Sequence, residues 1–152
     1  MNIFEELRAD HDTQRTLIDL LVKTEGDSDG RAELFERTKN ALSAHAGAEE
    51  RFFYVPLMDH DVTQEHARHS VAEHKELDDF IEKLGELDRS SSQWLITAQE
   101  LSERLEHHLA EEESEIFPVA GKALSDADKA SLAAEYREDM DRRLAGERQK
   151  LV

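Results

Sequence analysis

Three residue pairs recur at one fixed step along this chain. His11 and His74, His45 and His108, and Glu49 and Glu112 each stand 63 residues apart. Two halves of one polypeptide therefore carry the same set of two imidazoles and one carboxylate. Such a chain must fold its halves together around whatever the set serves, because each half holds only part of a coordination shell. Two imidazoles and one carboxylate per half are what a pair of transition-metal ions takes from the interior of a helical bundle, with both carboxylates free to bridge.

Two prolines and six glycines are the only strong breakers among 152 residues, and long periodic stretches of helix formers lie between them. The chain reads as all-α. Helices are expected at about residues 3–24, 31–55, 63–87 and 93–117, and a fifth, capped by Ser125 or Asp126, at about 126–148. The breaks are Gly26-Asp27-Ser28-Asp29-Gly30, the Val55-Pro56 step that ends or kinks the second helix, Asp88-Arg89-Ser90-Ser91-Ser92, and Pro118, which closes the fourth. Short connections make neighbours antiparallel. The expected fold is an up-down-up-down antiparallel four-helix bundle over about residues 3–120 with an additional C-terminal helix, all in one domain spanning the chain. The fifth helix lacks a His-carboxylate pair, and its stripe of Leu132, Ala133, Tyr136, Met140 and Leu144 reads as packing, on the outside of the bundle or against a protein partner or second copy.

Composition removes several classes of function. With no cysteine there is no disulfide, thiolate site, iron-sulfur cluster or cysteine nucleophile, so any metal is held by nitrogen and oxygen. A formal charge of -17 opposes nucleic acid and anionic membrane surfaces. The amino-terminal Met1-Asn2-Ile3-Phe4-Glu5-Glu6 has neither a basic nor an apolar signal region, and no apolar run reaches membrane-spanning length. A cytoplasmic protein is expected.

The candidate ligands fall on the faces that helical periodicity buries. His11 shares a stripe with Phe4, Leu7, Ile18 and Leu21; His45 and Glu49 with Leu42 and Phe52; His74 with Val71, Leu77, Ile81 and Leu84; His108 and Glu112 with Ala98, Leu101, Leu105 and Val119. Burying two carboxylates and four imidazoles with no cation costs several kcal/mol per charge, and the stripes offer no Arg or Lys. Nitrogen and oxygen donors suit iron, manganese or zinc, whereas calcium and magnesium prefer oxygen alone. Six converging ligands exceed the four of a structural zinc, so two ions fit better. The Glu-x-x-His pairs of ferritin-type sites are absent.

These residues resemble the hemerythrin-like family, known for its His-His-Glu cation-binding repeat, over roughly residues 3 to 120. The His-x-x-x-Glu-Glu segment leading to an aromatic and a proline occurs as His45 to Pro56 and again as His108 to Pro118. The resemblance implies a four-helix bundle holding two non-haem irons joined by an oxo or hydroxo bridge, with Glu49 and Glu112 bridging and His11, His45, His74 and His108 as terminal ligands. It implies binding of, or reaction with, small oxidants (hydrogen peroxide, oxygen, nitric oxide), catalase-like turnover among them. An iron sensor or buffer without turnover is the alternative reading, and a zinc-stabilised or metal-free bundle the third. The oxygen carriers of the family have a further His one turn after the equivalent of His74, where this chain has Asp78. Asp78 is thus a substitute ligand, an acceptor for an imidazole N–H, or a solvated residue, and an open coordination position favours reaction over oxygen storage.

Tyr54 and Phe117 each lie five residues after a carboxylate candidate, near the site but rotated off its face on α-helical geometry. Tyr54 is open to three roles beyond closing the core: gating a pocket, hydrogen bonding an exogenous ligand, or coordinating as a phenolate. Glu50 and Glu113 point about 100° from their neighbours and read as supporting or solvated residues. His60, His66, His69 and His107 read as surface side chains.

Overall fold

The computed structural model describes the backbone of residues 1–151 and the side chains of residues 1–146. Three of the four bundle helices begin where a short polar side chain accepts a backbone N–H, and α4 follows Thr63, whose hydroxyl donates to the Leu57 carbonyl. Asn2 and Glu5 form a reciprocal capping box ahead of α1 (Ile3–Val22). Ser28 caps α2 (Asp29–Glu49) by accepting from the Arg31 N–H, after a turn in which Gly26 takes the left-handed φ of 61°. A short α3 (Val55–Leu57) precedes α4 (Gln64–Glu86). Ser91 caps α5 (Ser92–Glu111), α6 spans Phe117–Ala123, and Ser125 accepts from the Asp128 N–H to open α7 (Asp126–Leu151).

The helices form an up-down-up-down antiparallel bundle. α1 packs on α2 and α5, α4 on α5, and α7 lies against α1 and α2. The contact between α2 and α4 is thinner, and a cavity opens there. No described helix is long and apolar enough to cross a membrane.

Two boundaries differ from the sequence reading for one physical reason. Val55-Pro56, expected to end or kink the second helix, does not stop it outright and Pro118 does not close the fourth: each helical path runs through a π-helical turn, Glu50–Tyr54 or Glu112–Ile116, into α3 or α6, α3 ending at Leu57. The Val55 N–H bonds the Glu50 carbonyl and the Phe117 N–H bonds that of Glu112, five residues back instead of four. The widened turn lets each proline sit in the first turn of the next segment, where its missing N–H costs little. It also changes which side chains face the core. Phe52 and Val119, expected on the inner stripes, are half-buried, whereas Phe53, Tyr54, Ile116 and Phe117 turn inward.

Two apolar clusters result. One packs Ile3, Leu7, Phe53, Leu57 and Phe117 beneath Tyr136 and Met140 of α7. The other packs Ile18, Leu21, Leu84, Trp94, Leu101 and Leu105. The six His and Glu ligand candidates belong to neither cluster. Leu101 is fully buried, so Leu101→Ala is expected to cost about 2–5 kcal/mol of stability, read by urea denaturation, with bound metal per folded chain unchanged. Loss of metal in step with stability would show that this cluster also sets the site.

Candidate metal centre

The six residues with the 63-residue step meet in one buried place. His11, His45, His74, His108, Glu49 and Glu112 are each at most 6% exposed. Glu49 lies between two imidazoles, with its carboxylate oxygens 3.4 Å from His45 Nε2 and 3.0 Å from His74 Nε2. Glu112 does the same, 3.0 Å from His11 Nε2 and 3.3 Å from His108 Nε2. The ligand atoms gather into two quartets, His11–His45–Glu49–Glu112 and Glu49–His74–His108–Glu112, each within 4.8 Å. Both carboxylates are common to both quartets.

These separations are short without being hydrogen bonds. All four Nε2 atoms, both oxygens of Glu49 and Oε1 of Glu112 are buried with no hydrogen-bond partner. Orphaned polar atoms of this kind carry a desolvation penalty each and are rare singly. Seven facing one another, all of them metal-ligand types, fit a pair of cations shared through two carboxylates.

The outer nitrogens are all occupied. His11 Nδ1 is 2.9 Å from Glu113, His74 Nδ1 3.0 Å from Glu50, and His108 Nδ1 2.9 Å from Glu73. A carboxylate accepts only, so each Nδ1 carries a proton and each Nε2 faces inward, where its lone pair is available once the imidazole is neutral, the arrangement that orients metal-binding imidazoles. His45 Nδ1 instead lies 2.6 Å from the hydroxyl of Tyr136, which donates onward to Asp10. The internal repeat organises these contacts too: Glu50 and Glu113 are 63 residues apart, as are Asp10 and Glu73. Each half lends a carboxylate to the other half's first histidine. For the second histidine, Glu73 reaches His108 directly, while Tyr136 is interposed between His45 and Asp10. The sequence reading gave α7 a packing role only, and Tyr136 corrects it.

Residues 2–120 match the profile of the hemerythrin HHE cation binding domain. The chain belongs to that family. Its fold is also that of a hemerythrin HHE cation binding domain-containing protein from Mycobacterium kansasii, whose crystal structure aligns with a TM-score of 0.87 at 21% identity, covering 96% of this chain and 89% of that one. A comparison with curated proteins found no match.

The remaining candidates sort themselves within this hemerythrin-type bundle. Tyr54, fully buried, donates its hydroxyl to Glu112, whose Oε2 also accepts from Ser70 at 3.0 Å. The π turn brings Tyr54 onto the carboxylate face that α-helical geometry would deny it. Burial, reinforced by Glu112 and Glu49, pushes its phenol well above the usual range, so it keeps its proton. Phe117 stacks on the His11 ring at 5.8 Å between centroids. Asp78 is exposed at the rim of the α2/α4 cavity and joins neither quartet, which leaves the solvated reading. That cavity, about 390 Å³, is lined by Leu42, Val71, Leu77 and Ile81 and ends on His45, His74 and His108. Gln14, 2% exposed, also lines it, and its amide nitrogen has no partner. His69 and His107 are exposed, and His60 and His66 half-buried.

Charge is balanced by protons when cations are absent. Burial by itself lowers the imidazoles, but Glu112 and Glu113 hold His11 up to about 9, Glu49 and Glu50 hold His74 up to about 9, and Glu112 and Glu73 hold His108 up to about 10. His11, ahead of burial and Arg15, draws Glu113 down to about 2. A histidine raised above its unfolded value stabilises fully below that value, about 6.5, and loses the contribution as pH climbs through its folded one. Chelator-stripped protein should therefore lose melting temperature steadily from pH 7 to pH 10. Ion-loaded protein, which needs neutral imidazoles, should lose it instead as pH falls below about 6. Identical pH profiles for the two forms would contradict this electrostatic account.

Proposed function

We propose that this protein holds two iron ions and reacts with hydrogen peroxide, with dioxygen and nitric oxide as related small ligands. His11 and His45 would serve one ion, His74 and His108 the other, and Glu49 and Glu112 both. The observation that carries the reading is the sharing of both carboxylates by two imidazole pairs, with seven ligand atoms left without other partners. Manganese suits the same donors, and zinc would make the centre structural. A pair of irons, when bound, supplies the redox capacity for two-electron chemistry with peroxide.

The protein's own residues supply access, orientation and protons. The α2/α4 cavity reaches three of the four imidazoles, and its apolar walls limit bulk water. The free amide of Gln14 can donate to an oxygen atom held there. Tyr54 and Ser70 fix Glu112 by donating to Oε2, and Oε1 stays without a protein partner at the centre. Asp78 stands at the mouth instead of a further imidazole, which favours turnover over storage. Disproportionation needs no outside reductant: two peroxides give one dioxygen and two waters.

A sensor or buffer is the second reading, favoured by the contact of Tyr136 with His45, which ties ion occupancy to α7. Metal analysis and oxygen release decide between them. We expect close to two irons per chain and many turnovers per iron, with Glu49→Ala losing both metal and activity. Gln14→Leu should retain both ions and lose about tenfold in kcat/KM, the equivalent of one hydrogen bond. Stoichiometric bleaching followed by silence would favour the sensor, and one zinc or no metal would sink the two-iron reading.

A further inference from the structure

The seam between α4 and α5 carries a second pair of His-x-x-x-Glu segments, His69 to Glu73 and His107 to Glu111, of which the centre above uses only Glu73, as the partner of His108. The four-residue spacing puts each pair on one helix face. His69 Nε2 lies 3.1 Å from Glu111 Oε1 and 3.5 Å from Glu73 Oε1. The three ligand atoms sit within 4.8 Å of one another, and His107 Nε2 is 3.3 Å from the other oxygen of Glu111. The side chain of His69 is 54% exposed, whereas those of Glu111 and Glu73 are recessed at 21% and 8%. The cluster is most open to solvent on its imidazole side.

The internal repeat provides an independent argument. The counterparts of His69 and Glu73, one 63-residue step earlier, are Glu6 and Asp10 on α1. There a cation is in place: Arg137 of α7 stands 2.7 Å from Glu6 and 3.1 Å from Asp10. Asp10 and Glu73 have the same task, anchoring the hydrogen-bond chain to a site imidazole, His45 through Tyr136 and His108 directly. But α7 packs on α1 and α2. Among the described residues Glu73 is paired only with histidines, and no guanidinium takes the place of Arg137.

We propose that His69, Glu73 and Glu111 form a separate, outer site for a divalent transition-metal cation, the counterpart of the Arg137 guanidinium in the other half. One imidazole and two carboxylates suit zinc, manganese or ferrous iron. His107, 3.3 Å from the other oxygen of Glu111, steadies that carboxylate from outside the ligand group. Because Glu73 also anchors His108, an outer ion is linked to the inner centre through one carboxylate. That linkage rests on the two-ion reading above; the outer site itself does not.

Zinc is the probe. Full-length protein is dialysed to equilibrium against zinc near neutral pH and the bound metal counted in wild type, His69→Ala/Glu111→Ala, His60→Ala/His66→Ala and Glu49→Ala. The expected result is one equivalent lost in His69→Ala/Glu111→Ala with melting temperature unchanged in chelator, and none lost in His60→Ala/His66→Ala. The same one-equivalent difference should persist when His69→Ala/Glu111→Ala is placed on Glu49→Ala, which isolates the outer site from the inner one. Equal zinc in wild type and His69→Ala/Glu111→Ala would overturn the proposal and leave ion pairs only. Undiminished zinc in Glu49→Ala would overturn the two-ion reading instead, while the one-equivalent difference still decides the outer site.

Discussion

The structure depends on what it costs to hold Glu49 and Glu112 out of water. Neither side chain is exposed at all, and the surroundings are imidazoles and aromatic rings of low polarity. Two carboxylates in that setting must be met by positive charge, either protons on the histidines or metal ions between them. Protons meet the need when ions are absent: His11 and His108 together outweigh burial and hold the Glu112 carboxyl well below the usual carboxylate range. Either way the charge comes from four different helices, so the polar layer ties the bundle together across its middle.

Around that layer the hydrogen bonds are arranged to leave the centre free. Each imidazole spends its outer nitrogen on a partner from another helix, Glu113, Tyr136, Glu50 or Glu73. The rings are thereby fixed in direction before any ion arrives, and an ion takes the inner nitrogen as its proton leaves. The apolar clusters above and below do the bulk of the packing and exclude water from the ends of the site. The π turns contribute as well, since each begins at or just after a shared carboxylate and swings the aromatic five residues beyond it, Tyr54 or Phe117, into the core.

Much of this is legible in the sequence, for a physical reason. Helical periodicity and a repeated spacing are properties of the chain itself, so the stripes through His11, His45, His74 and His108 announce four helices and one meeting point. The outer partners are harder to read. Glu50 and Glu113 sit beside other acids, where a carboxylate is ordinarily solvated, yet the 63-residue step links them as surely as it links the ligands. Asp10 and Glu73 carry the same unused signal. Tyr136 has none: it lies outside the repeat, on a stripe that packing alone explains. The helix end at Pro118 is misread because a π turn changes the period just where proline suggests a stop, and the same turn before Pro56 goes unread.

The interposed phenol of Tyr136 makes the two halves chemically unequal. His108, His11 and His74 lean on carboxylates and so behave as electron-rich donors, whereas His45 leans on a neutral hydroxyl and donates less. A repeat that would by itself give twin half-sites thus becomes a graded pair, in which His74 and His108 are both backed by carboxylates and His45 is not. α7, added beyond the repeat, is in this sense the part of the chain that gives the centre a direction.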